Sequence, residues 1–168
     1  LTAVTSGSIV GIPTLSSGYQ ITGGYLIGPD VDLTVADLTG LDLSSADLTG
    51  ATLTGVASGL IVGEPTLPSD YQIIDGYLIG PGVDLTGANL SGLDLKGADL
   101  TGADLSGADL SSSDLSGANL AGVDLTGTDL TGALWTNIQS QAAYDAIVAV
   151  RDSMYTQEQY DARYSQDQ

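Results

Sequence analysis

Across residues 83–132 a leucine returns at every fifth position: Leu85, Leu90, Leu95, Leu100, Leu105, Leu110, Leu115, Leu120, Leu125 and Leu130. Asp or Asn precedes each one, and Ser or Thr follows it except at Lys96 and Ala121. Two places before each leucine stands a small or apolar residue, mostly Ala, with Val83, Leu93, Ser113, Val123 and Thr128 as variants. Gly usually fills the fifth position. A shorter run on the same step covers residues 31–55 and is centred on Leu33, Leu38, Leu43, Leu48 and Leu53. A fixed short period of this kind marks a solenoid, in which each unit buries its apolar side only by stacking on its neighbours.

Neither regular secondary structure has a period of five. On a helix at ~100° per residue the leucines would advance ~140° each time and smear around the axis. On a strand, successive leucines would fall on opposite faces. A chain that turns a corner every five residues satisfies the pattern instead. Each leucine then points inward from one side of a polygon, and four sides close a square of about twenty residues whose coils stack at the ~4.8 Å strand spacing. Gly suits the corner, and Ala suits the little room left beside each leucine.

The tandem ANLSG, ADLTG and ADLSG units resemble those of the pentapeptide-repeat proteins. The resemblance covers residues 31–55 and 83–132, and it implies a right-handed quadrilateral β-helix, an all-β solenoid. It also implies that the central leucines and the small residues two before them fill the interior. Two departures stand out: the chain has no Phe, which members often carry at central positions, and no Cys.

A longer repeat overlies the short one. Residues 6–51 align with 58–103 at an offset of 52, with 34 of the 46 positions identical. Fifty-two is not a multiple of five, so the inserts at 1–30 and 56–82 shift the frame and are not expected to be ordinary coils. Within them, short β-prone runs flank Gly23-Gly24 and Asp75-Gly76, a hairpin signal of type I′. The same glycines also fit solenoid corners. The first block of units makes little more than one coil, too few to stand alone. Residues 1–135 therefore read as one continuous solenoid with two homologous inserts.

After Gly132 the period stops. Residues 140–154 are rich in Ala and place Ala143, Ile147, Val150 and Met154 at helical spacing. Thr156 and Gln159 form a capping-box pattern that opens a second short helix at 157–164. Residues 136–168 thus read as a helical cap on the last coil, with Trp135 packed beneath it. Docking or dimerisation is the other role open to these helices.

Composition narrows the chemistry. The chain has no His, no Cys and only three basic residues, Lys96, Arg151 and Arg163, for a net charge of −18. The usual general base, thiol nucleophile and soft metal ligands are missing. No catalytic residue and no organic cofactor is assigned, and the expectation is that the protein is not an enzyme. The lack of a basic footprint argues against nucleic acid as a partner. No apolar run approaches the ~18 residues of a membrane span. A chain that starts at Leu1 reads as a processed product or a fragment.

With about four units per coil, residues twenty apart stack. Asp84, Asp104 and Asp124 then form one ladder, and Asn89, Asp109 and Asp129 another. Asp94 stacks on Asp114, and Asp99 on Asn119. Stacked carboxylates repel, and three offsets are open: Ser and Thr hydroxyls, raised pKa values, or bound cations. Asp84, Asp104, Asp124, Asp109 and Asp129 are on this basis candidates for an oxygen-rich calcium row. The alternative is that each Asp supports its own corner through a side-chain-to-backbone hydrogen bond. Repulsion, if it dominates, predicts raised carboxyl pKa values and stability that improves on mild acidification.

Two function classes remain. The first is a structural or assembly module of a secreted or cell-surface structure, with itself or another protein as partner and end-to-end association as its mode. Near-identical units suit a scaffold better than a specific binding face. The second follows from the family resemblance: an acidic DNA mimic that binds a type II topoisomerase, in which case the protein is cytoplasmic.

Overall fold

The computed structural model describes residue 15, residues 17–138 and residues 140–154, the side chains of 151–154 excepted. The dominant motif is a turn repeated every five residues. At a representative corner the Ala88 N–H donates to the Leu85 carbonyl at 3.0 Å. Gly87 sits at φ 65° in the third place of that turn. Positive φ in the third place, after a residue of negative φ, is a type II turn, which asks for glycine there. The central leucine therefore begins each corner, and its side chain is left pointing inward.

Four corners close a coil, and the coils stack in parallel. Asp84 bridges to Asp104, which bridges to Asp124; Asn89, Asp109 and Asp129 follow the same order on the next side. Each step is bonded in both directions: Leu85 N–H donates to the Asp104 carbonyl at 2.8 Å, and Asp104 N–H to the Val83 carbonyl at 2.9 Å. Inside, the leucines from Leu85 to Leu130 are 0–5% exposed, and the alanines at 88, 98, 103, 108 and 118 lie buried between them. Ser113 and Thr128 occupy alanine positions without leaving a polar group stranded. Their hydroxyls donate to the carbonyls of Leu110 and Leu105 at 2.7 and 2.8 Å.

The insert at 56–82 differs from the expectation in one respect. Its first part is coil after all: Ala57, Val62 and Thr66 bridge in parallel to Asp37, Asp42 and Asp47. Val56 and Ile61 take the interior places and are buried. Only the second part departs from the stack. Strands β3 (Gln72–Ile74) and β4 (Tyr77–Ile79) form an antiparallel hairpin pairing Gln72 with Ile79 and Ile74 with Tyr77. Asp75 and Gly76 at its tip both have positive φ, 49° and 79°, as a type I′ turn requires. The hairpin lengthens that coil, so Ala57 bridges forward to Asp84, twenty-seven residues on rather than twenty. Strands β1 (Gln20–Thr22) and β2 (Tyr25–Ile27) form the equivalent hairpin before the coil that begins at residue 31.

The hairpins are built into the stack. Ile61 N–H donates to the Gly76 carbonyl at 3.0 Å and Leu78 N–H to the Ser58 hydroxyl at 2.9 Å, fixing the tip over the preceding coil. Leu26, Ile27, Leu78 and Ile79 are buried in the same core as the leucines. Tyr19 and Tyr71 lie against Gly28 and Gly80, where a methyl group would collide with the ring edge. Their hydroxyls donate to the carbonyls of Pro29 and Pro81.

At the other end, helix α1 (Gln141–Met154) follows the last corner. Ala143 and Ile147 are buried at 5% and 0% exposure. Val150 and Trp135 are partly buried against the core. The Met154 side chain and the second helix expected at 157–164 lie outside the described residues. Among the described residues no helix is long and apolar enough to cross a membrane.

Two outcomes follow from this packing. Leu105→Ala removes a fully buried side chain and is expected to cost ~2–5 kcal/mol, whereas Ser106→Ala, outside the core, stays within ~0.5 kcal/mol. Equal urea midpoints for the two variants contradict the inward-leucine packing. Ile147→Asp places a charge against the last coil, so α1 should undock and uncover Leu125 and Leu130. Light scattering should then show concentration-dependent elongation. A variant that stays monomeric with an unchanged melting curve shows that α1 is not the cap.

Candidate functional site

The outward positions are where any chemistry must sit, and the fold presents them as straight rows. Of the sequence candidates, Asp84, Asp104 and Asp124 share one side of the square, and Asp109 and Asp129 share the next with Asn89. Leu85 to Leu130 and the cap residues Trp135, Ala143, Ile147 and Val150 belong to the interior or its edge.

Each Asp has a partner within its own unit. The Asp84 Oδ1 accepts from the Thr86 N–H at 3.0 Å, Asp104 from Ser106 at 2.9 Å and Asp129 from Thr131 at 2.8 Å. Asp109 and Asp124 accept from Ser111 and Thr126 in the same way. This is the turn in which a carboxylate bonds the backbone two residues on. It orients one oxygen of each carboxylate along its own corner. Among the described residues no group of three or more His, Cys, Asp or Glu is arranged to hold a metal ion.

These bonds set the direction of titration and correct an expectation. Stacked carboxylates were expected to carry raised pKa values. The structure gives the reverse for Asp32, Asp37, Asp42, Asp47, Asp109 and Asp124. The Ser or Thr two residues on bonds each carboxylate through side chain and backbone and holds its pKa below the ordinary value. Such a bond favours the ionised form and outweighs the stacked neighbours, which water screens. Asp114 goes furthest, to about 2, because Lys96 bonds it as well as Ser116.

Lys96 is an exception the sequence marked without explaining. Its ammonium bridges Asp94 at 3.5 Å and Asp114 at 2.9 Å, tying two coils together on one side. Two further features were missed. The Tyr77 hydroxyl accepts the Asn89 N–H at 3.3 Å, and the Tyr25 hydroxyl accepts the Asp37 N–H at 3.2 Å. A tyrosine thus stands in where a preceding coil would supply a carbonyl. The identity of both tyrosines at an offset of 52 was the available signal. The second feature is apolar and outward: Val35, Leu60 and Val62 are 77%, 74% and 56% exposed.

The pH dependence reverses accordingly. Carboxyls with depressed folded-state pKa values stabilise the fold above the unfolded carboxylate range near ~3.9. That contribution is lost as the pH falls through the folded values, last at Asp114 near about 2. The melting temperature is expected to fall progressively below about pH 4. A melting temperature that climbs on acidification would restore the repulsion account.

Comparison with known proteins agrees with this geometry. The family model for pentapeptide repeats matches in 8 copies, over residues 29–55, 82–117 and 108–137. No curated protein matches the chain. Among solved structures, a pentapeptide repeat protein from the cyanobacterium Cyanothece 51142 is similar at 29% identity and TM-score 0.35, covering 66% of this chain and 57% of that one. A pentapeptide repeat protein from the Arabidopsis thaliana thylakoid lumen is similar at 32% identity and TM-score 0.27, covering 61% of this chain and 52% of that one. The chain thus spans little more than half the length of either. QnrB1, a plasmid-mediated fluoroquinolone resistance protein, is similar at 18% identity and TM-score 0.27, covering 70% of this chain and 66% of that one. From the repeated corner, the stacked four-sided coils and the matched units, the chain belongs to the pentapeptide-repeat family and folds as its right-handed quadrilateral β-helix.

Proposed function

We propose that the protein is a non-enzymatic structural module, a rod whose length is set by the number of 52-residue units it contains, in an assembly outside the cell or at its surface. One observation carries the reading. The junction between a hairpin and the coils it precedes occurs twice, made by the same residues at an offset of 52. Tyr19 and Tyr71 close the two hairpins on Pro29 and Pro81, and Tyr25 and Tyr77 start the two stacks at Asp37 and Asn89. At the second junction the stack continues across the hairpin, with the Gly55 N–H donating to the Gly82 carbonyl and the Gly82 N–H to the Thr101 carbonyl. A unit that starts its own coils and joins to the coils before it can be multiplied without redesign. Its outer faces repeat small side chains, which suits spacing better than recognition of one partner.

The acidic faces also support a second reading, mimicry of DNA toward a type II topoisomerase. What favours it is a net charge of −18 on carboxylates held ionised along the rod. What weighs against it is the spacing, because the rows repeat at the ~4.8 Å of stacked strands and not at phosphate intervals.

The two readings separate experimentally. An in-frame duplication of residues 31–82 adds two coils and should lengthen the particle by ~10 Å in small-angle scattering at the ~4.8 Å strand spacing, with cooperative melting kept. Under the rod reading, neither the parent nor the lengthened protein at micromolar concentration slows supercoiling by DNA gyrase. A duplicated chain that misfolds removes the multipliable unit, and inhibition of gyrase by the parent moves the assignment to mimicry.

A further inference from the structure

We infer that the groove beside Leu60 is a docking site for a basic, leucine-bearing segment of a partner protein. The inference goes beyond the rod role and stands or falls separately from it. It starts from an energetic oddity. Leu60 has φ 55°, a conformation disfavoured for an L side chain and usually given to glycine. It gains no burial in exchange, being 74% exposed. The aligned position in the other repeat is Ser8, so the two copies do not share a leucine there. Strain held at an exposed apolar residue points from the observed outlier toward binding.

The surroundings specify what would bind. A cleft of ≈ 320 Å³ lies at this corner, lined by Leu60, Ala57, Tyr77, Thr39 and Asp84 among others. The Tyr77 ring closes in over Gly59, where a methyl group would stand 3.2 Å from it, and this gives the cleft an aromatic wall. Val62, 56% exposed, continues the apolar surface around the corner. It occupies an outward place that carries Asp42 in the coil below. On the cleft's own side of the square, Ala57 stands where most units carry Asp or Asn, with Asp37 below it and Asp84 above it in the same row. The carboxylates therefore flank an apolar gap one coil to either side. That pattern complements an aliphatic side chain with Lys or Arg near it in sequence, and it disfavours an anionic lipid surface or another acidic chain.

The test uses the full chain and a fluorescein-labelled probe peptide alternating Lys with Leu, followed by anisotropy at physiological ionic strength. The control is the same peptide with Ser in place of Leu. The Leu peptide should bind saturably and the Ser peptide should not. Leu60→Gly should weaken binding at least about tenfold, as for loss of an interface anchor, while raising the melting temperature, because glycine relieves the φ strain. That opposite movement separates a binding role from a structural one. Asp84→Asn should weaken binding and flatten its salt dependence. Equal affinity of the parent and Leu60→Gly would mean charge attraction alone and would overturn the site. A lower melting temperature for Leu60→Gly would show the side chain to be structural and overturn it as well. Self-association of the parent that Leu60→Gly abolishes would assign the groove to a second copy instead.

Discussion

Every coil of this rod depends on the coil beneath it for backbone hydrogen bonds. The sides of the square are too short to pair with themselves, so the N–H and C=O groups of each side must find partners one coil up and one coil down. That requirement explains why the units are so alike. A side of different length would carry its neighbours out of register, and the leucines would no longer meet in the narrow interior. It also makes the two ends and any interruption the costly places, since there the ladder must stop or be carried over.

The hairpins answer that cost. A hairpin satisfies most of its own backbone groups internally, so a coil can carry it without pairing each of its residues to the coils on either side. The tyrosine hydroxyls at 25 and 77 supply acceptors to Asp37 and Asn89 where the ladder has none. The first side chains above the hairpin adjust in size. Leu41 packs against Gly23 at the hairpin tip, and Leu93 takes the aligned place in the second repeat, both where regular units have Ala. At the C-terminal end a different solution is used: Ala143 and Ile147 of α1 supply the apolar cover that a further coil would have given.

The corner, the inward leucines and the four-sided coil were legible because fifteen units repeat one pattern, and repetition averages out local ambiguity. Residues 56–67 were not, for two reasons. Ser58 and Gly63 stand at the places of the central leucines, and Thr66 pairs only nineteen residues after Asp47, so the step of five is lost although the sides persist. The offset of 52 suggested that no part of the insert was ordinary coil, when a hairpin of eight residues, less the one residue lost before Thr66, accounts for the shift. The electrostatics differ from the expectation for a related reason. Asp stacks follow from the spacing of twenty, and repulsion follows from the stacks. The Ser or Thr two residues on from most of these Asp is equally plain in the sequence, and its short bond is the stronger influence. The roles of Tyr25 and Tyr77 could not be read, because they depend on where the hairpin lies across the coil.

In a chain this repetitive, information about function lies in the departures from the repeat, and most of them have structural causes. Leu41 fills space over a hairpin tip. Ser113 and Thr128 bond buried carbonyls. Lys96 ties the exposed Asp94 to the largely covered Asp114 and depresses the Asp114 pKa. Ser45 and Ser112 replace corner glycines with small polar residues at positive φ, a mild penalty on a wet surface. Val35 and Leu60 are different, because each places a large apolar side chain in the same strained conformation and leaves most of it in water. Neither joins the core. Val35 at least rests against Gly55 of the next coil. Leu60 instead borders the junction cleft beside Tyr77 and Asp84, so the strain has no structural return and binding is the remaining physical reason for a leucine there.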